Sequence, residues 1–212
     1  MDLIIFDLDG TLVDSRRDIA TSVNELLSRL GRRRLANEQI YGFIGNGVRR
    51  LLERSLGEAS AQEIEQSLQI FLPIYRSHLL DTTRPYPGVR ESLESLSKGR
   101  TLAVLTNKPR PESVAVLEGL ELNSFFDTVY GGESFPQRKP DPVGINTLLE
   151  SAGVAKERAL MVGDSRVDYE AARNAAIPIC MVSYGLGAAE IPDLDPDYVV
   201  DDLRQLIPIV EA

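Results

Sequence analysis

Apolar residues in this chain fall into short runs separated by longer amphipathic stretches. Leu3–Phe6, Leu102–Leu105, Thr128–Tyr130, Ala159–Val162, Ile179–Val182 and Tyr198–Val200 are bounded by turn signals and read as buried strands. Between and after them, Val89–Leu96, Glu112–Leu120, Val143–Ala152, Asp168–Ala175 and Leu203–Val210 carry apolar residues at helical spacing. Strands that alternate with helices imply right-handed βαβ crossovers. The predicted fold class is therefore α/β, a doubly wound, mainly parallel sheet with helices on both faces.

One stretch departs from that rhythm. Residues 15–82 contain no strand signal and several helical ones. Ser15 with Asp18 has the spacing of a capping box, Ile19, Val23, Leu26, Leu27 and Leu30 share one face, and Gly31 supplies a stop. Val48, Leu51 and Leu52 form a second stripe. Ser60 with Glu63 opens a third helix carrying Ile64, Leu68 and Phe71, which Pro73 is expected to kink or interrupt. The strand cycle resumes after Arg84-Pro85-Tyr86-Pro87-Gly88. The expected organisation is a core of residues 1–14 and 83–212, with an all-helical cap, 15–82, inserted after the first strand. An insertion there overhangs the crevice in which α/β proteins bind ligands.

Composition narrows the function. The chain has 212 residues, 43% of them hydrophobic, enough for a sizeable core. Its formal charge of −9 argues against a nucleic-acid partner, whose phosphates need a basic surface. No apolar run approaches the roughly 18–20 residues that cross a bilayer, and no secretory pattern opens the sequence, so a cytoplasmic protein without a membrane partner is expected. The single cysteine, Cys180, sits in an apolar run and reads as a buried small hydrophobe.

The candidate chemistry lies where strands end. The first strand runs into Asp7-Leu8-Asp9-Gly10-Thr11, the second into Thr106-Asn107-Lys108, and the fourth into Gly163-Asp164-Ser165 with Asp168 beyond. Lys139 follows the third strand, in Arg138-Lys139-Pro140-Asp141-Pro142. A parallel sheet brings these ends to one edge. Grouped carboxylates repel one another unless a cation or proton intervenes, so four acids, a threonine and a lysine on one rim point to a built site.

In this order and spacing, Asp7-x-Asp9-x-Thr11, Thr106, Lys139-Pro140 and Gly163-Asp164-x-x-x-Asp168 resemble the four motifs of the haloacid dehalogenase superfamily, and the likeness spans essentially the whole chain. The resemblance implies a Rossmann-like core and Mg²⁺-dependent hydrolysis of a small phosphorylated metabolite through an aspartyl phosphate. It implies Asp7 as nucleophile, Asp9 as general acid and base, and Thr106 and Lys139 as groups that bind the transferring phosphoryl. Asn107 and Thr11 would contact substrate. The metal ligands would be Asp7, Asp164 and the backbone carbonyl of Asp9, with Asp168 orienting Lys139 or a metal-bound water.

Asp9 separates this reading from dehalogenation, in which a halide leaves without an acid. Residues 14–82 hold no lysine, which disfavours the phosphonate-cleaving branch and its Schiff base. A phospho-accepting receiver or a catalytically silent binding module are the non-enzymatic alternatives. A receiver lacks the helical insert, and a silent module would be expected to have lost one of Asp7, Asp9, Lys139 or Asp164. A phosphosugar mutase, a pyrophosphatase and a sugar-phosphate phosphatase stay open. Phe43-Ile44-Gly45-Asn46-Gly47 and the segment from Asp81 to Gly88 are similar to the phosphoglycolate phosphatases of the superfamily. In that case Gly45, Asn46 and Gly47 let a helix N-terminus approach the substrate and Arg49 or Arg50 faces its carboxylate; a plain turn with solvated arginines is the competing reading. Arg32-Arg33-Arg34 reads as a solvated loop and His78 as a surface residue without a partner. Ala176 stands where the family usually has glycine after a helix. The expected assembly is a monomer or a homodimer.

Overall fold

The structure, a computed structural model, describes residues 1–211. Six parallel strands, β1 (Leu3–Phe6), β4 (Thr101–Leu105), β5 (Thr128–Tyr130), β6 (Ala159–Gly163), β7 (Ile179–Val182) and β8 (Tyr198–Val200), form one sheet in the order β5-β4-β1-β6-β7-β8. β1 pairs with β4 through Ile5↔Ala103 and with β6 through Ile5↔Met161, so it lies where the winding reverses. Ligands of open parallel sheets bind outside the carboxyl end of the strands at such a switch point.

Period-two alternation explains why both faces are covered. Ile4, Phe6, Leu102, Val104, Leu160 and Val162 belong to one core, and Leu3, Ile5, Ala103, Leu105, Ala159 and Met161 to the other. The first face packs against α5 (Val89–Leu96), α6 (Arg110–Gly119) and α9 (Leu206–Glu211), and the second against α7 (Val143–Ala152) and α8 (Arg166–Ala175). Cys180 is buried in the first core, and burial pushes its thiol up to about 12. The C-terminal helical pattern splits into a 3₁₀ turn, Leu203–Gln205, followed by α9.

Between β1 and β4 the chain forms α1 (Arg16–Arg29), α2 (Asn37–Tyr41), α3 (Val48–Leu56) and α4 (Ala61–His78). The chain leaves and returns through a two-residue antiparallel ribbon, β2 (Val13–Asp14) with β3 (Arg84–Pro85), in register Val13↔Pro85. Neither this ribbon nor α2 is visible as a periodic pattern, because each is too short to carry one.

Several local expectations are corrected. Ser15 and Asp18 make no capping box: the Ser15 hydroxyl donates to Asp9 at 2.6 Å, and the Asp18 carboxylate accepts from the amides and hydroxyls of Thr82 and Thr83. Both side chains are buried and take charged or buried partners from other segments in place of the amides of their own helix. Ser60 and Glu63 do form the box, with Ser60 N to Glu63 Oε2 at 2.7 Å, and nothing buried competes for them. α4 runs unbroken through Pro73. Arg32 donates to the Leu56 carbonyl at 2.6 Å, so it ties α1 to α3 while Arg33 and Arg34 carry no such contact among the described residues. His78 is not partnerless; it bonds Asp81 at 2.6 Å and Glu25 at 3.0 Å. Ala176 adopts the left-handed conformation, φ 58° and ψ 47°, in place of a glycine.

Candidate active site

Asp7 continues β1 by one residue, on the face that carries Leu3 and Ile5. Its amide donates to the Val162 carbonyl at 2.9 Å, so the strand geometry persists to the first carboxylate. The chain then turns at Gly10, φ 95°, where a side chain would collide with the Asp164 carboxylate. Glycine is needed there for both the backbone angle and the close approach.

Three buried carboxylates, Asp7, Asp164 and Asp168, bring oxygens within 4.8 Å of one another. Lys139 bridges two of them, with Nζ 2.8 Å from Asp7 Oδ1 and 2.6 Å from Asp168 Oδ1. The other oxygen of Asp168 accepts from the amide and hydroxyl of Ser165, so this residue holds Lys139 in place and has little left to offer a ligand. Asp164 accepts from the Thr11 hydroxyl at 3.2 Å and the Gly187 amide at 3.0 Å. Burial pushes the Asp7 carboxyl up to about 6, against the pull of Lys139. Burial, with the charges of Asp168 and Asp7, pushes Asp164 up to about 8. Lys139, which burial alone would depress, is held above the ordinary lysine range by Asp168 and Asp7. One ammonium for three carboxylates leaves negative charge uncompensated. Hard oxygen donors with surplus charge are what a small divalent cation takes.

Asp9 points elsewhere. Its carboxylate accepts from Ser15 and from Lys108 Nζ, at 2.9 and 3.2 Å, and takes no part in the three-carboxylate group. A contribution of Asp9 to a metal would therefore come from its backbone. Lys108 is 6% exposed and also contacts the Tyr75 hydroxyl of α4. Burial would lower this lysine too, yet Asp9 and Tyr75 hold it high. The sequence assigns no role to Lys108 or Tyr75, and only a helix cap to Ser15. The only signal was position: Lys108 follows Thr106-Asn107 at a strand end.

The remaining expected residues divide. Thr106 lines the cavity over Asp7, and its hydroxyl accepts from the Lys108 amide at 3.2 Å. The Asn107 amide donates to the carbonyls of Lys139, 3.0 Å, and Gly45, 3.1 Å, so it pins the helical segment to the Lys139 loop. Gly45 and Gly47 border the cavity, and Asn46 borders a wider cleft of about 740 Å³ that also reaches Asp7, Asp9 and Asp164. At Gly47, φ 83°, an added Cβ would sit 3.2 Å from the Asn107 carbonyl. Thr11 is fully buried behind Asp164 and supports that carboxylate, so it is not placed to touch substrate. Arg49 and Arg50 are not brought to the site either. They pair with Glu65 at 2.6 Å and Glu53 at 2.7 Å on the outer surface, because the phase of α3 turns Leu51 and Leu52 inward.

Among the described residues no helix is long and apolar enough to cross a membrane. The sequence pattern of the haloacid dehalogenase-like hydrolases matches residues 4–182. The chain is 41% identical over 215 residues to a phosphoglycolate phosphatase of Pseudomonas savastanoi, covering 97% of this chain and 78% of that one. It is 38% identical over 211 residues to the phosphoglycolate phosphatase of Agrobacterium fabrum, covering 97% and 91%. A crystal structure of a predicted phosphoglycolate phosphatase from Haemophilus somnus superposes with a TM-score of 0.93 at 32% identity, covering 99% of this chain and 97% of that one. A haloacid dehalogenase-like protein from Streptococcus pneumoniae gives 0.87 at 28% identity, covering 99% and 98%. The site at the end of β1 and the likeness along nearly the whole length agree: this chain belongs to the haloacid dehalogenase-like hydrolases.

Proposed function

We propose that the protein is a phosphatase that hydrolyses a small phosphate monoester, with phosphoglycolate as the substrate its relatives' activity suggests. The observation that carries the reading is the division of labour between two carboxylates two residues apart. Asp7 sits with Lys139 in the buried acidic group, while Asp9 is turned to Lys108 and Ser15.

Asp7 attacks phosphorus in line, and the P–O bond to the leaving group breaks as the aspartyl phosphate forms. Asp9 gives its proton to the departing alkoxide, then removes one from the water that attacks the phosphoenzyme. That second displacement releases inorganic phosphate and restores both carboxyl groups. Lys139, fixed by Asp168, balances charge on the transferring phosphoryl, and Thr106 lines the cavity that Asp7 also borders. Asp7, Asp164 and the Asp9 carbonyl would hold Mg²⁺, which supplies electrostatic relief between the carboxylates and the substrate phosphate. We assign residues 15–82 to a cap that shields this chemistry from solvent, with α3, α4 and the Gly45–Gly47 loop as its active face. A cap limits wasteful water attack on the first step.

The direct test is the phosphoenzyme. Rapid-quench labelling with a ³²P-phosphomonoester in the presence of Mg²⁺ should place label on Asp7, and Asp7→Asn should abolish both label and turnover while leaving the far-UV circular dichroism spectrum intact. Wild-type turnover in Asp7→Asn would remove this residue as nucleophile.

A further inference from the structure

Between the ends of β1 and β4 and the helices above them lies a cavity of about 50 Å³, with Asp7 and Asp9 in its lining. Ile44, Val48, Leu51, Phe71 and Leu72 make most of its wall apolar. Lys108 is the only cation among the described residues that line it. We propose that Lys108, held by Tyr75, is the subsite for a carboxylate carried by a short leaving group, and so sets substrate class. This inference rests on the phosphatase reading and names the group that would recognise the alkoxide side of the ester.

Three observations converge. First, Asp9 Oδ1 is already served by the Ser15 hydroxyl at 2.6 Å, so a buried ammonium spanning Oδ1 and Oδ2 at 2.9 and 3.2 Å brings more positive charge to the cavity than that oxygen needs. Second, the ammonium is fixed from the helical segment. Tyr75 bonds it through its hydroxyl and offers its ring face, centroid 4.7 Å from Nζ, while Tyr75 itself stacks on Phe71 at 5.6 Å. A long lysine immobilised in this way is preorganised to bind an anion. Third, distance limits the ligand. Asp9 must reach the leaving oxygen, and Lys108 lies 2.9 Å from Asp9, so an anion on Lys108 is separated from that oxygen by one or two carbons. A small apolar cavity with one ammonium at that reach fits a phosphorylated 2-hydroxy acid of minimal length and rejects sugars, whose hydroxyls would meet the apolar wall. The arginines of α3 nearest the loop, Arg49 and Arg50, are turned outward, and Arg54 and Arg166 line the wider cleft, which adjoins this cavity at Asp7, Asp9, Ile44 and Gly45.

The test compares phosphoglycolate with 2-hydroxyethyl phosphate, which has the same length and a neutral end, with Mg²⁺ present. Wild type should prefer the carboxylate by about 10²-fold in kcat/KM, the range expected when a site is built around a charged hydrogen bond. In Lys108→Met both rates fall, because Asp9 loses a neighbour, but the ratio between them should collapse to about threefold or less. Tyr75→Phe should reduce the ratio by about 3- to 10-fold, which covers the case in which Lys108→Met does not fold. A wild-type enzyme that hydrolyses both esters equally overturns the subsite and leaves the phosphatase reading standing. So does an unchanged ratio in Lys108→Met or Tyr75→Phe, or a collapse seen with Arg54→Met instead. Absence of turnover on every phosphomonoester overturns the phosphatase reading itself, and the subsite with it.

Discussion

Asp18 is a buried acid outside the acidic group, and its removal should cost more than that of any surface charge. Only 1% exposed, it stands at the start of α1 and accepts from four donors of the returning chain. Thr82 N, at 2.9 Å, and Thr82 Oγ1, at 2.6 Å, are two; Thr83 N, at 2.8 Å, and Thr83 Oγ1, at 2.7 Å, are the others. The carboxylate thus clamps the two crossings between the helical segment and the sheet. Thr82 is exposed and water can replace its bonds, whereas Thr83 is fully buried and its donors would be orphaned. Two buried charge-assisted bonds at about 1.5–3 kcal/mol each put the loss for Asp18→Ala at about 3–6 kcal/mol, and Asp18→Asn, which keeps an acceptor, near 2 kcal/mol. Burial raises the Asp18 pKa, but the bonds from Thr82 and Thr83 more than reverse this and hold it below the ordinary carboxylate range. A carboxyl whose pKa falls on folding contributes stability above its unfolded value, and that contribution is lost as pH drops through the folded one. The gap between wild type and Asp18→Asn should therefore be full at pH 7 and shrink below about pH 4. Urea unfolding followed by circular dichroism at pH 7, 5, 4 and 3 measures it. A difference under about 0.5 kcal/mol at pH 7, or one that does not shrink in acid, would refute the clamp.

Other outcomes follow from the site and its frame. Asp9→Asn should lose about 10²–10⁴ in rate on an alkyl phosphate. On an aryl phosphate, whose phenolate needs little acid, phosphorylation of Asp7 should suffer less and labelled phosphoenzyme should build up; equal losses without trapped label would reassign Asp9 to structure. Mg²⁺ at about 100 times its Kd should raise the melting temperature by about 5–10 °C, equivalent to about 2.7 kcal/mol. Asp164, pushed up to about 8 by burial, keeps its proton in the folded state well above the unfolded range, so its ionisation opposes folding as pH rises toward 8. At one fixed Mg²⁺ concentration the shift should accordingly be larger at pH 8 than at pH 6, where the ion must displace that proton, and Asp164→Asn should abolish it. A shift equal at both pH values, or retained in Asp164→Asn, would place the ion elsewhere. Ala176→Gly should raise stability by about 0.5–1 kcal/mol in urea titration, since an exposed alanine is held at φ 58°; no gain would mean that the strain is absorbed nearby.

The sequence by itself determined the sheet and the acidic rim. Central strands of a parallel sheet are apolar on both faces, so β1, β4, β6 and β7 leave runs that can be read without knowledge of their neighbours, and Asp7, Thr106 and Asp164 follow those runs directly. The edge strand β8, with Tyr198 and Val199 exposed, is apolar without being fully buried. Asp7, Lys139 and Asp168 meet at 2.8 and 2.6 Å because strand ends converge whatever their separation along the chain. The tertiary structure decided which of several available partners each polar side chain took. Ser15 and Asp18 have the spacing of a capping box, as Ser60 and Glu63 do, yet the first pair is drawn to Asp9 and to Thr82 and Thr83. Local spacing cannot rank a helix amide against a buried carboxylate contributed by another segment. The same holds for the cations. The sequence leaves Arg49 and Arg50 either facing the substrate or solvated, and Arg49 pairs with Glu65 outside, while Lys108, unassigned by any motif, lies buried between Asp9 and Tyr75. Whether a charge faces solvent or a cavity depends on helix phase and on what the opposing segment supplies, and both are properties of the packed chain.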